Sequence, residues 1–188
     1  MGRREQIGDA GIRLIARNGV RALTHRAVDE EARLPPGSTS YYARTRRELT
    51  ALVIDRLASG TQDELDELAI PATLTIDQAV SLAEGILDRL AQSRAEPTTR
   101  FALLLEARGD DELHNALTTG AAVRPSLLAK TAAVLRALGV ADPELHAADT
   151  VGLLDALLMH RVAHAAPMDT ARVLHAYLGG LPRRHATR

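Results

Sequence analysis

Ser38-Thr39-Ser40-Tyr41-Tyr42 is where this sequence gathers side chains that could do more than pack. The 188 residues include three tyrosines, one phenylalanine and no tryptophan, and two of those four aromatics stand side by side here. Short hydroxyls reach phosphate oxygens and longer phenols reach base edges, so the five together suit a helix lying in a DNA groove. One tyrosine is expected to pack and the other to face DNA.

Other chemistries find less support. There is no cysteine, which excludes disulfides, thiolate zinc sites and cysteine nucleophiles. No Gly-x-Ser-x-Gly elbow and no phosphate-cradling glycine loop occurs. His160 and His164 are four apart, a spacing from which one helical face can hold a metal. No glutamate lies between them, however, and Asp155 is five residues before His160. They read as two histidines at a helix end near a subunit contact. No catalytic residue, metal ligand or cofactor is assigned; a small helical metal-dependent enzyme built on that pair is the competing reading.

The elements that must carry these residues read as helices throughout. Ile7, Ala10, Gly11, Leu14 and Ile15 recur at helical spacing up to Asn18-Gly19, a pair tolerant of positive φ. Thr24 stands at an N-cap position ahead of Ala27, Val28 and Ala32. Pro35-Pro36-Gly37-Ser38 breaks the pattern, and a very short helix is expected over about 36–42. Thr45-Arg46-Arg47-Glu48 is a capping box that opens a fourth helix through Leu49, Leu52, Val53 and Leu57 to about Ser59-Gly60. Two short helices across a tight break, then a capped longer one, form a helix-turn-helix arrangement whose second paired helix enters a major groove.

Beyond a break at Pro71 and 73–75, helices are expected over 76–94, 98–108, 111–119 and 124–138, separated by Pro97, Gly109-Asp110 and Gly120. Asp142 is expected to cap a long helix from Pro143 to about His164, and Pro167-Met168-Asp169 to restart a last one ending at Gly179-Gly180. No strand-length alternation or fixed repeat appears. The expected fold class is all-α: a three-helix helix-turn-helix DNA-binding head over residues 1–60 and a larger helical ligand-binding and dimerisation body over 61–188.

Composition agrees with that division. Alanine contributes 33 residues, which favours helix. The net charge of −1 hides an asymmetry: residues 1–60 hold 11 arginines against 7 acidic residues, and 61–188 hold 12 basic against 17 acidic. A basic first third on an acidic remainder fits a DNA-binding head on a separate body. No stretch approaches 18 uncharged apolar residues, so neither a signal peptide nor a membrane span is expected, and a cytoplasmic location is.

Residues 5–60 resemble the TetR-type transcriptional regulators. Four pieces in order carry the resemblance: Asn18-Gly19, Leu23-Thr24-His25-Arg26-Ala27-Val28, Gly37-Ser38-Thr39-Ser40-Tyr41-Tyr42 and Thr45-Arg46-Arg47-Glu48-Leu49. The resemblance implies that Thr24 and Arg26 meet phosphate with His25 beside them. It implies that Gly37 leads into a recognition helix presenting Ser38, Ser40, Tyr41 and Tyr42, and that Arg46 meets a phosphate at the positive end of the fourth helix. It further implies a ligand-responsive homodimer on a palindromic double-stranded DNA operator, repression being the family's usual mode. Three residues depart from the pattern. Asp29 stands where a small residue usually lets two helices approach, Arg33 where glycine usually makes the turn, and Ala43 where phenylalanine is common. Asp29 and Arg33, four apart with the acid first, are expected to pair on the helix surface for ~0.2–0.5 kcal/mol. A head that had lost DNA binding through these changes would leave a helical interaction protein as a third reading.

Dimerisation is expected in the last two helices. Val151, Leu154, Leu158 and Val162 form an apolar stripe broadened by Leu153, Ala156 and Leu157, and Gly152 permits close approach of a second helix. The resemblance also implies a small-molecule effector cavity among the body helices. Leu103, Leu104, Leu105 and Leu135 would supply aliphatic walls, Phe101 the one aromatic, and Arg100 or His114 a polar anchor. That lining suits a neutral or anionic lipophilic molecule better than a caged cation.

Overall fold

A computed structural model describes residues 2–164 and 167–184. Among them every regular element is a helix, apart from one isolated antiparallel bridge between Val140 and Arg183. The chain is all-α, as the periodicity predicts.

The local signals in the first sixty residues act as read. Helix α1 (Arg3–Asn18) ends where Gly19 takes φ 77°, a conformation that glycine adopts freely. Thr24 Oγ1 accepts the Ala27 N–H at 3.2 Å and opens α2 (His25–Glu31). Helix α3 covers only Ser38–Tyr42. Its start falls two residues after the expected one, because the Ser38 N–H turns back onto the Pro35 carbonyl and Gly37 sits at φ 88°. Pro36 therefore precedes the helix instead of opening it. The Glu48 N–H then donates to Thr45 Oγ1 at 3.1 Å while the Glu48 carboxylate accepts the Thr45 N–H at 3.3 Å, completing the capping box at the head of α4 (Arg46–Glu67).

Helix α4 runs well past Gly60, where the sequence reading ended it. A lone glycine costs a helix only about 1 kcal/mol, Leu65 is buried beyond it, and no proline intervenes before Pro71. The remaining helices are α5 (Ile76–Ser93), α6 (Ala95–Glu106), α7 (Asp111–Leu117), α8 (Arg124–Ala137), α9 (Pro143–Val162) and α10 (Thr170–Gly180). Pro97 does not separate helices: it lies in the first turn of α6, where its missing N–H would have no partner in any case. Asp142 precedes α9 in the left-handed region (φ 46°, ψ 54°) and its side chain caps nothing, contrary to expectation; Pro143 at the first position starts that helix instead.

Contacts divide the described residues into two compact units, 2–63 with 93–124, and 64–92 with 125–164 and 167–184. The core of the first unit joins Ile7, Ile12 and Ile15 of α1, Leu23, Val28 of α2, Leu49 and Val53 of α4, and Leu103 of α6. Thr99 Oγ1, fully buried on α6, donates to the Ile12 carbonyl at 2.9 Å. In the second unit the buried side chains include Leu87 of α5, Leu135 of α8, Val151 and Leu158 of α9, and Leu174 of α10. Arg161 fastens α9 to Glu84 and Asp88 of α5, and Thr150 and Tyr177 share a hydroxyl contact of 3.1 Å between α9 and α10.

Arg33 occupies the turn after α2 at φ 54°, which costs a residue with a side chain ~1–2 kcal/mol. Glycine there would lose roughly 0.5–1 kcal/mol to chain entropy. Arg33→Gly should therefore raise the melting temperature by a few degrees, and a lower melting temperature in calorimetry would count against strain at this position.

Candidate nucleic-acid interface

The five residues of α3 separate cleanly into an inner and an outer face. Thr39 is fully buried and Tyr42 packs against the first unit's core, whereas Ser40 is exposed and Tyr41 is 81% exposed. The two tyrosine rings meet edge to face, with centroids 5.1 Å apart. The half-buried ring thus supports the exposed one: one tyrosine packs, as expected, and it is Tyr42, which the resemblance had counted among the presented residues. Ser38 Oγ, half-buried, donates back to the Pro35 carbonyl at 2.6 Å, and Gly37 is exposed in the turn before it.

Polar and basic side chains stand at the starts of the helices before and after it in sequence. Thr24 and Arg26 are exposed at the start of α2, Arg26 holding Glu30 one turn on at 2.8 Å in the open. Such an exposed pair is worth little and exchanges readily for a phosphate. Arg46, exposed at the start of α4, donates to the Val20 carbonyl at 2.9 Å. His25 is half-buried, and its Nε2 lies 2.8 Å from the carbonyl oxygen of Ala43. A carbonyl only accepts, so Nε2 carries the proton.

Asp29 departs from the sequence expectation. It does not pair with Arg33. Its carboxylate, 4% exposed, accepts the Thr39 N–H at 2.8 Å and the Thr39 hydroxyl at 2.6 Å on one oxygen, and the Gly37 N–H at 2.7 Å on the other. Burial alone would push this carboxyl up; the bonds from Thr39 and Gly37, with neighbouring His25 adding, hold it below the usual carboxylate range. The departure that threatened the head's packing is instead a fastening between α2 and α3. A second fastening was equally invisible in sequence. Arg47 of α4 reaches Asp110 at 2.7 Å and Glu112 at 2.5 Å, and Asp110 also caps α7 by accepting the Leu113 N–H.

Of the residues assigned to an effector, Arg100, Phe101, Leu103, Leu104, Leu105 and His114 lie in the first unit, whereas Leu135, fully buried, belongs to the second. Phe101 is buried, with the Arg100 guanidinium 5.3 Å from its ring centroid. Leu104 packs against the unit's core beside fully buried Leu103, and Leu105 is exposed. His114 is half-buried, and its Nδ1 is shut off from solvent with no hydrogen-bond partner among the described residues. A cleft of about 550 Å³ in the second unit is lined by Glu84, His160, Arg161, His164, Met168 and Asp169 among others, and by none of the residues assigned to an effector. His164 there is past the end of α9 at φ 49°. It has left the helical register on which a shared metal face with His160 depends. Among the described residues no three potential ligands cluster, and no helix is long and apolar enough to cross a membrane.

Residues 74–183 match the family model described as "Tetracyclin repressor-like, C-terminal domain". Among solved structures, a member of the TetR family from Streptomyces coelicolor is 25% identical, the likeness covering 97% of this chain and 99% of that one at a TM-score of 0.67. The multidrug binding protein EbrR, complexed with ethidium, is 27% identical over 94% of this chain and 97% of its own, with a TM-score of 0.68. The fold is also that of SmeT, the repressor of the Stenotrophomonas maltophilia multidrug efflux pump SmeDEF, at 17% identity, 99% and 93% coverage and a TM-score of 0.65. A comparison with curated protein sequences finds no match.

Proposed function

Because the chain belongs to the tetracycline-repressor-like family of transcriptional regulators, we propose that it is a ligand-responsive repressor that binds a pseudo-palindromic duplex operator as a homodimer. The observation that carries the reading is Tyr41, 81% exposed on a short polar helix in a chain with four aromatics. Thr24, Arg26, Gly37, Ser38 and Arg46 are assigned with it as the phosphate-facing set. Two heads on one DNA face stand about one helical turn apart (~34–36 Å) or a multiple of it.

Selection from a random duplex pool tests this. Tyr41→Ala should lower affinity for the selected sequence roughly tenfold or more and hardly alter binding to random duplex. Arg46→Ala should weaken both alike and reduce the salt slope by ~0.9 for one lost phosphate contact. A wild-type protein that enriches no sequence would defeat the reading. An unchanged slope for Arg46→Ala would remove that residue from the interface.

The second copy docks on the outer face of α9. Val151, Leu157 and Leu158 from the expected stripe are buried within the protomer. Leu145, Ala148, Gly152, Ala156 and Met159 recur at spacings of three and four and are all exposed, Leu145 by 73%. A helix with an inner apolar face covered and an outer one open fits a four-helix bundle across a two-fold axis.

The effector reading stays with a neutral or anionic lipophilic molecule near Phe101 and Leu104. Arg100 already lies over one face of the Phe101 ring, and the ring is buried, which disfavours an aromatic cage for a cationic dye there. The buried, unpaired Nδ1 of His114 offers a polar anchor. The coupling requires the ligand to prefer the DNA-incompetent state, and reciprocity requires DNA to weaken ligand binding by the same factor.

A further inference from the structure

A five-residue helix cannot orient itself. It closes scarcely a turn, and isolated helices shorter than ~12–15 residues are marginal in water. Yet Tyr41 and Ser40 must be aimed within a narrow range to read base edges. The aim of α3 has to come from outside it, and α2 supplies it from one face. His25 and Asp29 are four residues apart, so they project from the same side of α2. Asp29 holds the leading end of α3 through the Gly37 and Thr39 N–H groups and the Thr39 hydroxyl, at 2.6–2.8 Å. His25 holds the trailing end through the Ala43 carbonyl at 2.8 Å. The carboxylate bonds are charge-assisted, and Thr39, which donates two of the three, is fully buried. Among the described residues no other α2 side chain is hydrogen-bonded to α3 or to the residues that flank it.

We infer that His25 and Asp29 are positioning residues that grip the recognition helix at its two ends and set its aim, without themselves touching DNA. The inference rests on the DNA-reading assignment above and adds to it a source of specificity that lies behind the contacting surface. It also gives His25 a different task from its neighbours Thr24 and Arg26. A phosphate contact changes the salt slope, whereas a positioning residue changes discrimination between sequences and leaves the slope alone.

The test uses full-length Asp29→Asn, His25→Ala and His25→Gln on the duplex that the wild type selects and on random duplex, with amide exchange measured alongside. Asparagine keeps an acceptor for Thr39 but sets an N–H₂ against the Gly37 N–H, and glutamine keeps a donor for Ala43 where alanine has none. Asp29→Asn and His25→Ala should each lose roughly tenfold to a hundredfold in specific affinity, with random-duplex binding and salt slope unchanged. His25→Gln should recover most of the loss. In Asp29→Asn the Gly37 and Thr39 amides should exchange faster while those of Leu52 and Val53 in α4 keep their protection, which separates a loosened α3 from an unfolded head. Wild-type discrimination in both Asp29→Asn and His25→Ala would overturn the inference, as would a salt slope reduced by ~0.9 in His25→Ala. If the wild type selects no sequence, the DNA reading fails instead, and the exchange rates at Gly37 and Thr39 still decide whether the grip exists.

Discussion

Gly152→Arg should leave each protomer folded and take operator affinity down roughly a hundredfold to ten-thousandfold. Gly152 lies on the exposed face of α9, and a Cβ built there meets nothing within 4 Å. Within one protomer the substitution is therefore free of clashes, and replacing a mid-helix glycine gains some tenths of a kcal/mol to about 1 in helix propensity. The outcome reverses if two α9 helices cross here. Packed helix axes come within about 8–10 Å, and a guanidinium with its stem does not fit between Ala148, Gly152 and Ala156 and their symmetry mates. Two heads tethered in one dimer meet the second half-site at an effective concentration near millimolar, which multiplies affinity by ~10²–10⁴ without any new contact. Monomers lose that factor. Sedimentation should show a monomer with unchanged or raised melting temperature, and a variant that stays dimeric and binds as wild type would place the interface elsewhere.

How much of this was legible in sequence depended on how local the determining contact is. Asn18-Gly19, Thr24 and Thr45–Glu48 cap or end helices through partners within four residues, and those boundaries were readable. So was the division of Tyr41 from Tyr42, since a lone aromatic pair on a short amphipathic helix has to split between core and solvent. Gly60 and Pro97 misled for one shared reason: each residue disfavours a helix in general but is tolerated at the position it occupies. Asp29 misled differently. Partner rules on a helix surface reach only three or four residues along the chain, while its actual partners are eight and ten residues on, fixed by where α3 packs. The same blindness hid the contacts of Thr99 with Ile12 and of Arg47 with Asp110, 87 and 63 residues apart. On α9 the apolar residues run so far round the helix that periodicity could not say which side a protomer keeps; Val151 and Leu158 turn inward, Gly152 and Met159 outward.

The second large effect tests the foundation on which the recognition helix stands. Gly8→Ala combined with Gly11→Ala should destabilise the first unit, over-packing alone costing roughly 2–6 kcal/mol, about 1–3 for each site. An alanine Cβ at position 11 would stand 2.4 Å from Val53 Cγ2 and 3.3 Å from Leu23 Cδ1, and one at position 8 would stand 2.6 Å from Arg56 Cβ. None of these is the loose end of a long chain. Val53 and Leu23 are fully buried, and a Cβ moves only with its backbone. The two glycines lie one turn apart on α1, so both clashes push α1 off α4 along the same line, and side-chain rotation cannot relieve them together. In an open helix, where nothing meets the new Cβ, each Gly→Ala change would instead stabilise by about 1 kcal/mol, so the net loss expected here is at most about 4 kcal/mol. The sign of the result is therefore decisive. A loss of that size consumes a large part of the ~5–15 kcal/mol that holds a domain together, and it should appear as a lowered denaturant midpoint and fraying of α3, whose support comes through α2 from this core. A double variant more stable than the wild type would mean that α1 and α4 do not approach closely at these two residues. Val53→Ala added to Gly11→Ala should restore part of the loss, because the methyl removed is the one in the way; strictly additive costs would contradict the contact.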